Sequence, residues 1–94
     1  MNREQNLVEV FTKMATNIAA RYTIDIQAAT AIKGKRPEFE ELMQFLQQLD
    51  KELTTQGVKT LEAYKNETGD IPDTLTKEIK QIITDTIEQF VKKL

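Results

Sequence analysis

Apolar side chains recur every three or four residues along almost the whole chain, a spacing that places them on one side of an α-helix. Glycine and proline occur together at two places, Gly34–Pro37 and Gly69–Pro72, and these mark loops. Short loops join helices that lie side by side and run in opposite directions. The 94 residues therefore predict one all-α domain, residues 1–94, folded as an antiparallel three-helix bundle.

The first predicted helix runs from about Arg3 to Lys33. Gly34 is typical of a helix C-cap, and neighbouring lysines suit the negative end of the helix dipole. The β-branched patch Thr23–Ile26 weakens the helical pattern and leaves open a break at that point. The apolar stripe of this helix consists of Leu7, Phe11, Met14, Ile18, Tyr22, Ile26, Ala29 and Ile32.

The second predicted helix runs from Pro37, in its first turn, to about Asn66. Gly57 either lies inside one long helix, at a cost of about 1 kcal/mol relative to alanine, or marks a turn that gives a four-helix bundle. A continuous helix is favoured because the apolar phase continues through Leu61 and Tyr64. Upstream of the glycine the stripe consists of Phe39, Leu42, Leu46, Leu49 and Leu53.

The third predicted helix begins near Pro72 or Asp73 and continues to the end of the chain. The three stripes advance by about 3.5 residues, as in coiled-coil packing. The third stripe consists of Leu75, Ile79, Ile82, Ile83, Phe90 and Leu94, with Ile87 and Val91 alongside.

The composition excludes several kinds of chemistry. The chain has no cysteine, histidine or serine, so the usual thiolate and imidazole metal ligands and the usual nucleophile–base pairs are absent. It also has no glycine-rich phosphate loop. We therefore expect a protein that is not an enzyme and that has no catalytic residues, cofactor or metal.

Charge is unevenly distributed along the predicted helices. Between Met14 and Ile32 only Arg21 and Asp25 are charged, and six alanines lie in the same stretch. Small side chains let helix backbones approach closely, so this stretch predicts contact with another protein or with a second copy in a homo-oligomer; an alanine-rich surface helix is the alternative. The residues predicted to lie near this protein interface are Ala15, Ile18, Ala19, Ala28 and Ile32.

Three basic residues, Lys33, Lys35 and Arg36, lie at the first loop and suggest a weak nucleic-acid contact. Helix capping explains them more simply, and the glutamates that follow partly cancel their charge. The whole chain has 13 basic and 15 acidic side chains, a net charge of −2. Nucleic-acid binding is therefore the less favoured alternative.

Two resemblances accompany these patterns. The run from Glu67 to Asp73, followed by a helix that ends Glu88–Lys93, is similar to the extreme C-terminal tail of F-type ATP synthase α subunits, over less than a third of the chain. In size and helicity, and in having a tyrosine-containing helix, a loop and a proline-started last helix, the chain also resembles small bacteriocin immunity proteins.

The main functional prediction is a small helical protein-interaction module: an adaptor, regulator or inhibitor of another protein. The second resemblance implies an alternative, an immunity or antidote protein that acts against a toxin or bacteriocin. No apolar run approaches the roughly 20 residues of a transmembrane helix, and the N-terminus has no signal-peptide pattern. We therefore expect a cytoplasmic protein.

Overall fold

Three helices that all contact one another make up the computed structural model, which describes residues 3–94. They are α1 (Arg3–Lys33), α2 (Phe39–Thr68) and α3 (Asp73–Lys92). The predicted all-α three-helix bundle is confirmed, and neither Gly57 nor the Thr23 region breaks a helix.

Glycine ends both long helices in the way that the sequence predicts. Gly34 has φ +73° and donates its N–H to the Thr30 carbonyl at 2.9 Å. Gly69 has φ +89° and donates to the Lys65 carbonyl at 2.6 Å. Both lie in the left-handed region, which other residues rarely adopt, so glycine stops each helix at low cost.

Pro37 requires a correction, because it does not lie in the first turn of α2. The helix begins at Phe39, with Glu38 as an extended N-cap, and Pro37 belongs to the loop before it. Its side chain is buried in that loop. The proline therefore anchors the connection between α1 and α2 by packing.

Ion pairs and hydrogen bonds at the two ends of the bundle define the helix directions. Arg3 lies 3.6 Å from Glu67, whereas Lys33 at the other end of α1 lies 2.6 Å from Glu41. Helix α2 is thus antiparallel to α1. Helix α3 returns parallel to α1, and Arg36 in the first loop donates a hydrogen bond to the Leu94 carbonyl.

The core consists of two adjoining clusters. The first joins Phe11 of α1 to Leu75 and Ile79 of α3. Full burial of a side chain of this size contributes roughly 1.5–3 kcal/mol. The second cluster joins all three helices further along the bundle; its buried members are Ala15, Ile18, Leu49, Leu53 and Phe90.

Gly57 of α2 lies against side chains of both α1 and α3. A Cβ atom at this position would lie 3.1 Å from Cγ2 of Ile79, 3.2 Å from Cδ1 of Ile83 and 3.5 Å from Cζ of Phe11. Side chains of α1 and α3 therefore fill the space that a larger residue would need. The helix-propensity cost of this glycine is offset by the packing that it permits.

Helix α3 is too short to cover the whole α1–α2 hairpin. At 1.5 Å per residue, α1 is about 46 Å long and α3 about 30 Å. Phe90 packs in the same cluster as Ile18, but α3 ends at Lys92, whereas α1 continues to Lys33. The chain after α3 reaches Arg36 of the first loop through Leu94, but the last turn of α1 and the first turns of α2 have no third helix against them.

The predicted apolar stripes fail at this open end. Phe39 is 75% exposed and Ile32 is 85% exposed, although both were predicted to lie on core-facing stripes. In helices α1 and α2, burial stops at Ile18 and begins at Leu49. The spacing places a residue on a helix face, but burial also requires a neighbouring helix at that level.

Replacement of Gly57 by leucine should destabilise the bundle, because the added side chain would meet Ile79, Ile83 and Phe11. We expect the free energy of unfolding to fall by roughly 1–3 kcal/mol. Urea unfolding followed by circular dichroism measures this change. The control is Val58→Leu, at a side chain 48% exposed, which should change the value by less than about 0.5 kcal/mol. Equal effects of the two variants would contradict the close helix approach at Gly57.

Two substitutions in α2, one in the core and one at the open end, should differ in their effect on the free energy of unfolding. Leu49→Ala removes a fully buried side chain and should cost about 2–5 kcal/mol. Phe39→Ser should change the free energy of unfolding by less than about 0.5 kcal/mol. The same unfolding experiment measures both. A loss at Phe39 as large as that at Leu49 would show that the open end is packed.

Candidate functional site

The five predicted interface residues of α1 divide between the core and the surface. Ala15 (0% exposed) and Ile18 (8% exposed) are buried against α2 and α3, and Ala19 is half-buried beside them. Ala15 and Ile18 share the phase of the core residue Phe11, so this part of the prediction is corrected: they face the bundle. Only Ala28 and Ile32 are exposed.

The exposed side of α1 carries a row of uncharged residues spaced four apart, Ala20, Ile24, Ala28 and Ile32, which we call the α1 ridge. All four are exposed, with Ile24 at 62% and Ile32 at 85%. Residues four apart on a helix are neighbours on its surface, so the ridge is continuous. Ile24 was not among the residues predicted to lie at the interface, although the phase of the core stripe could have shown that it faces away from the core.

Of the two charged residues next to the ridge, Arg21 is paired with α2 and Asp25 lies near Arg21 on α1. Arg21 donates a hydrogen bond to Glu52 of α2, and its guanidinium lies 5.9 Å from the centre of the Tyr22 ring. This hydrogen bond lowers the pKa of Glu52 and raises that of Arg21. Burial raises the pKa of Tyr22, which also hydrogen bonds to Glu52. Asp25 adds a favourable charge near Arg21.

Large exposed apolar side chains are concentrated towards the open end. Five of the seven found among residues 3–94 lie in the C-terminal halves of α1 and α3 or the first turns of α2. The absence of a third helix at their level explains the exposure of the three at the ends of α1 and α2, whereas Ile24 faces away from the core stripe and Val91 belongs to α3 itself. The five residues are Ile24, Ile32, Phe39, Met43 and Val91.

A cavity of about 480 Å³ lies between α1, the first loop and the C-terminal end of α3. Ile26, Phe90 and Leu94 contribute apolar side chains to its wall, and Arg36 and Lys93 contribute two cations. A second cavity of about 320 Å³ continues along α1 and α3 and shares Phe90 and Lys93 with the first. The two cavities together form a groove between α1 and α3.

Two of the three basic residues at the first loop are engaged within the chain. Lys33 pairs with Glu41 at 2.6 Å, and Arg36 donates to the Leu94 carbonyl. Both contacts attach the loop to the bundle. Nucleic-acid binding by Lys33, Lys35 and Arg36 stays a prediction that these contacts do not favour.

Across residues 3–94, no three or more Asp or Glu side chains converge in a group that could hold a metal ion. Over the same range, no helix has both the length and the apolar character needed to cross a bilayer.

Comparison with protein-family models, with curated proteins and with solved structures finds no match to this chain. The resemblances to ATP synthase α subunits and to immunity proteins therefore gain no support from a related protein. Function has to be argued from the α1 ridge, the open end and the groove.

The contribution of the Arg21–Glu52 ion pair to the free energy of unfolding should depend on pH. Because Arg21 lowers the pKa of Glu52 from its ordinary value of 4.5, the pair contributes fully above that value and is lost as the pH falls through the folded-state pKa. Glu52→Gln should be less stable than the parent protein at neutral pH, with a difference that shrinks in acid. Urea unfolding across a pH series measures this difference. A difference of equal size for Glu62→Gln, on the same helix, would contradict the assignment.

Proposed function

We propose that this chain is a small, non-enzymatic protein-interaction module that binds a helix of another protein along the α1 ridge. The observation that carries the proposal is the exposure of Ile24 and Ile32 on a row of the surface without charge. Full burial of such a side chain contributes roughly 1.5–3 kcal/mol. A partner that covers both side chains would gain this burial free energy, which the isolated chain does not have.

The shape of the ridge favours a helical partner. Ala20 and Ala28 flank Ile24 at intervals of four residues, so small and large side chains alternate along one row. Rows with this spacing interdigitate with the matching rows of a second helix at interaxial distances of about 8–10 Å. The alanines allow close approach, and the isoleucines supply most of the buried apolar area.

The charges around the ridge add little electrostatic free energy to the cost of burying it. Arg21 is neutralised by Glu52, so a partner helix can approach without desolvating an isolated guanidinium. Asp25 is exposed and lies near Arg21, so its charge is also partly balanced. Electrostatics therefore opposes the contact only weakly.

The interface must be larger than the α1 ridge alone, so we expect it to include the open end. The ridge from Ala20 to Ile32 is about 18 Å long, and a specific interface buries at least about 1,000 Å² in total. A single helix row of this length supplies only part of that area. Phe39, 75% exposed beyond the end of α1, supplies more if the partner also covers the open end.

The double variant Ala20→Glu and Ala28→Glu tests the proposal. Both positions are exposed and glutamate is a good helix former, so helicity and stability should stay close to the parent values. Partner binding should be lost, because burial would leave two carboxylates without counter-charges. The partner is isolated by photo-crosslinking from position 24 in a lysate of the host. Its affinity for the parent and the variant is then measured with purified proteins.

The matched control places the same two glutamates on α2, as Thr54→Glu and Val58→Glu, again four residues apart and exposed. This control should bind the partner as the parent does. Unchanged binding by the α1 variant would overturn the ridge assignment. Recovery of the chain itself would identify a homo-oligomer, and recovery of a toxin would identify an antidote protein, both through the same ridge.

A further inference from the structure

We propose that the cavity at the C-terminal end of α3 binds a small amphipathic anion: a linear apolar tail that ends in a carboxylate. Its volume of about 480 Å³ lies within the roughly 300–1,000 Å³ of small-molecule sites. The head-group site is distinct from the proposed protein contact, because the first cavity includes none of the four residues of the α1 ridge. The second cavity reaches the ridge at Ala20 alone.

The charges of the cavity select an anion. Arg36 and Lys93 both line it, and no Asp or Glu side chain does; a main-chain carboxylate on Leu94, where this sequence ends, would offset only one of these two charges. This pairing of two cations stands out in a chain with a net charge of −2. A guanidinium has five N–H donors, so Arg36 keeps donors available for a carboxylate beside its one hydrogen bond to Leu94.

The walls of the cavity suit an apolar tail. Ile26, Phe90 and Leu94 offer hydrocarbon surface. Thr23 and Thr30 also line the cavity, but their hydroxyls donate to the carbonyls of Ala19 and Ile26 at 3.1 and 2.9 Å. Because these hydroxyl groups already have acceptors within α1, an apolar ligand does not leave them without a hydrogen bond.

The groove also sets the direction of the ligand. The second cavity, which continues along α1 and α3, includes Asp85 at its wall. A carboxylate near Asp85 would be repelled, whereas one at Arg36 and Lys93 is attracted. The head group therefore lies at the first loop, and the tail points back along the groove past Phe90.

The hydrogen bond between Arg36 and Leu94 favours a small molecule over a partner helix. It bridges the first loop and the end of α3, and both of its residues line the cavity. A helix is about 10–12 Å in diameter with its side chains and would have to break this bridge. A hydrocarbon chain fits between the two helices without disturbing it.

Decanoate below its micellar concentration is the probe, and isothermal titration calorimetry with the purified full chain measures its binding. Arg36→Gln with Lys93→Gln should weaken binding by at least about tenfold, because charge-assisted hydrogen bonds are lost. Lys35→Gln, which removes a cation from the same loop outside the cavity, should leave the affinity within about twofold. Arg36→Lys with Lys93 intact should retain most of the binding.

Further measurements separate the alternatives. Ala31→Trp adds bulk at an exposed lining residue and should abolish binding, while circular dichroism verifies that the helices persist. Decylammonium should not bind. The proposal is overturned if decanoate fails to bind at millimolar concentration, if decylammonium binds equally, or if Lys35→Gln weakens binding as much as the double variant does. It is also overturned if the chain sediments with phosphatidylglycerol vesicles but does not bind monomeric decanoate, because the anionic surface itself is then the ligand.

Discussion

The packing of Phe11, Ile79 and Ile83 against Gly57 determines how the three helices are arranged. Because α2 has no side chain at this point, α1 and α3 both approach its backbone closely. Ile79 and Phe11 also belong to one buried cluster, so the contact fixes the position of α3 along the hairpin as well as its distance from it. A larger residue would separate the helices and remove contacts on both sides of the core.

The position and the length of α3 together produce the open end. Contacts at Gly57 place Ile79 beside Phe11, near the N-terminal turns of α1, and a helix that ends at Lys92 then meets the far end of the hairpin only through the hydrogen bond between Arg36 and Leu94. Sliding α3 towards that end would move Ile79 away from Gly57 and expose Leu75. The buried cluster is therefore favoured over coverage of Ile32 and Phe39, which stay exposed.

Much of this architecture is local and could be predicted from the sequence. Gly34 was predicted to end a helix and Gly69 to lie in a loop, and both adopt the positive φ that favours glycine. The surface assignments were less reliable, because they depend on which helix lies opposite. Ala15 and Ala28 look equivalent in the sequence, yet only Ala15 shares the phase of the core. The cavity was unpredictable, since Arg36 and Leu94 lie 58 positions apart in the chain.

The two sides of α1 near the open end differ in polarity, so we expect them to bind different kinds of ligand. On the exposed row of α1, Ile24 and Ile32 are uncovered and the nearby Arg21 is balanced by Glu52 of α2, so association there would be mainly hydrophobic. Towards α3, Arg36 and Lys93 meet at a cavity whose remaining polar groups are largely satisfied. Electrostatic attraction would select the ligand in this cavity, and apolar contact would retain it. One helix can thus support a protein contact and a small-molecule contact whose salt dependences differ, since only the second relies on charge.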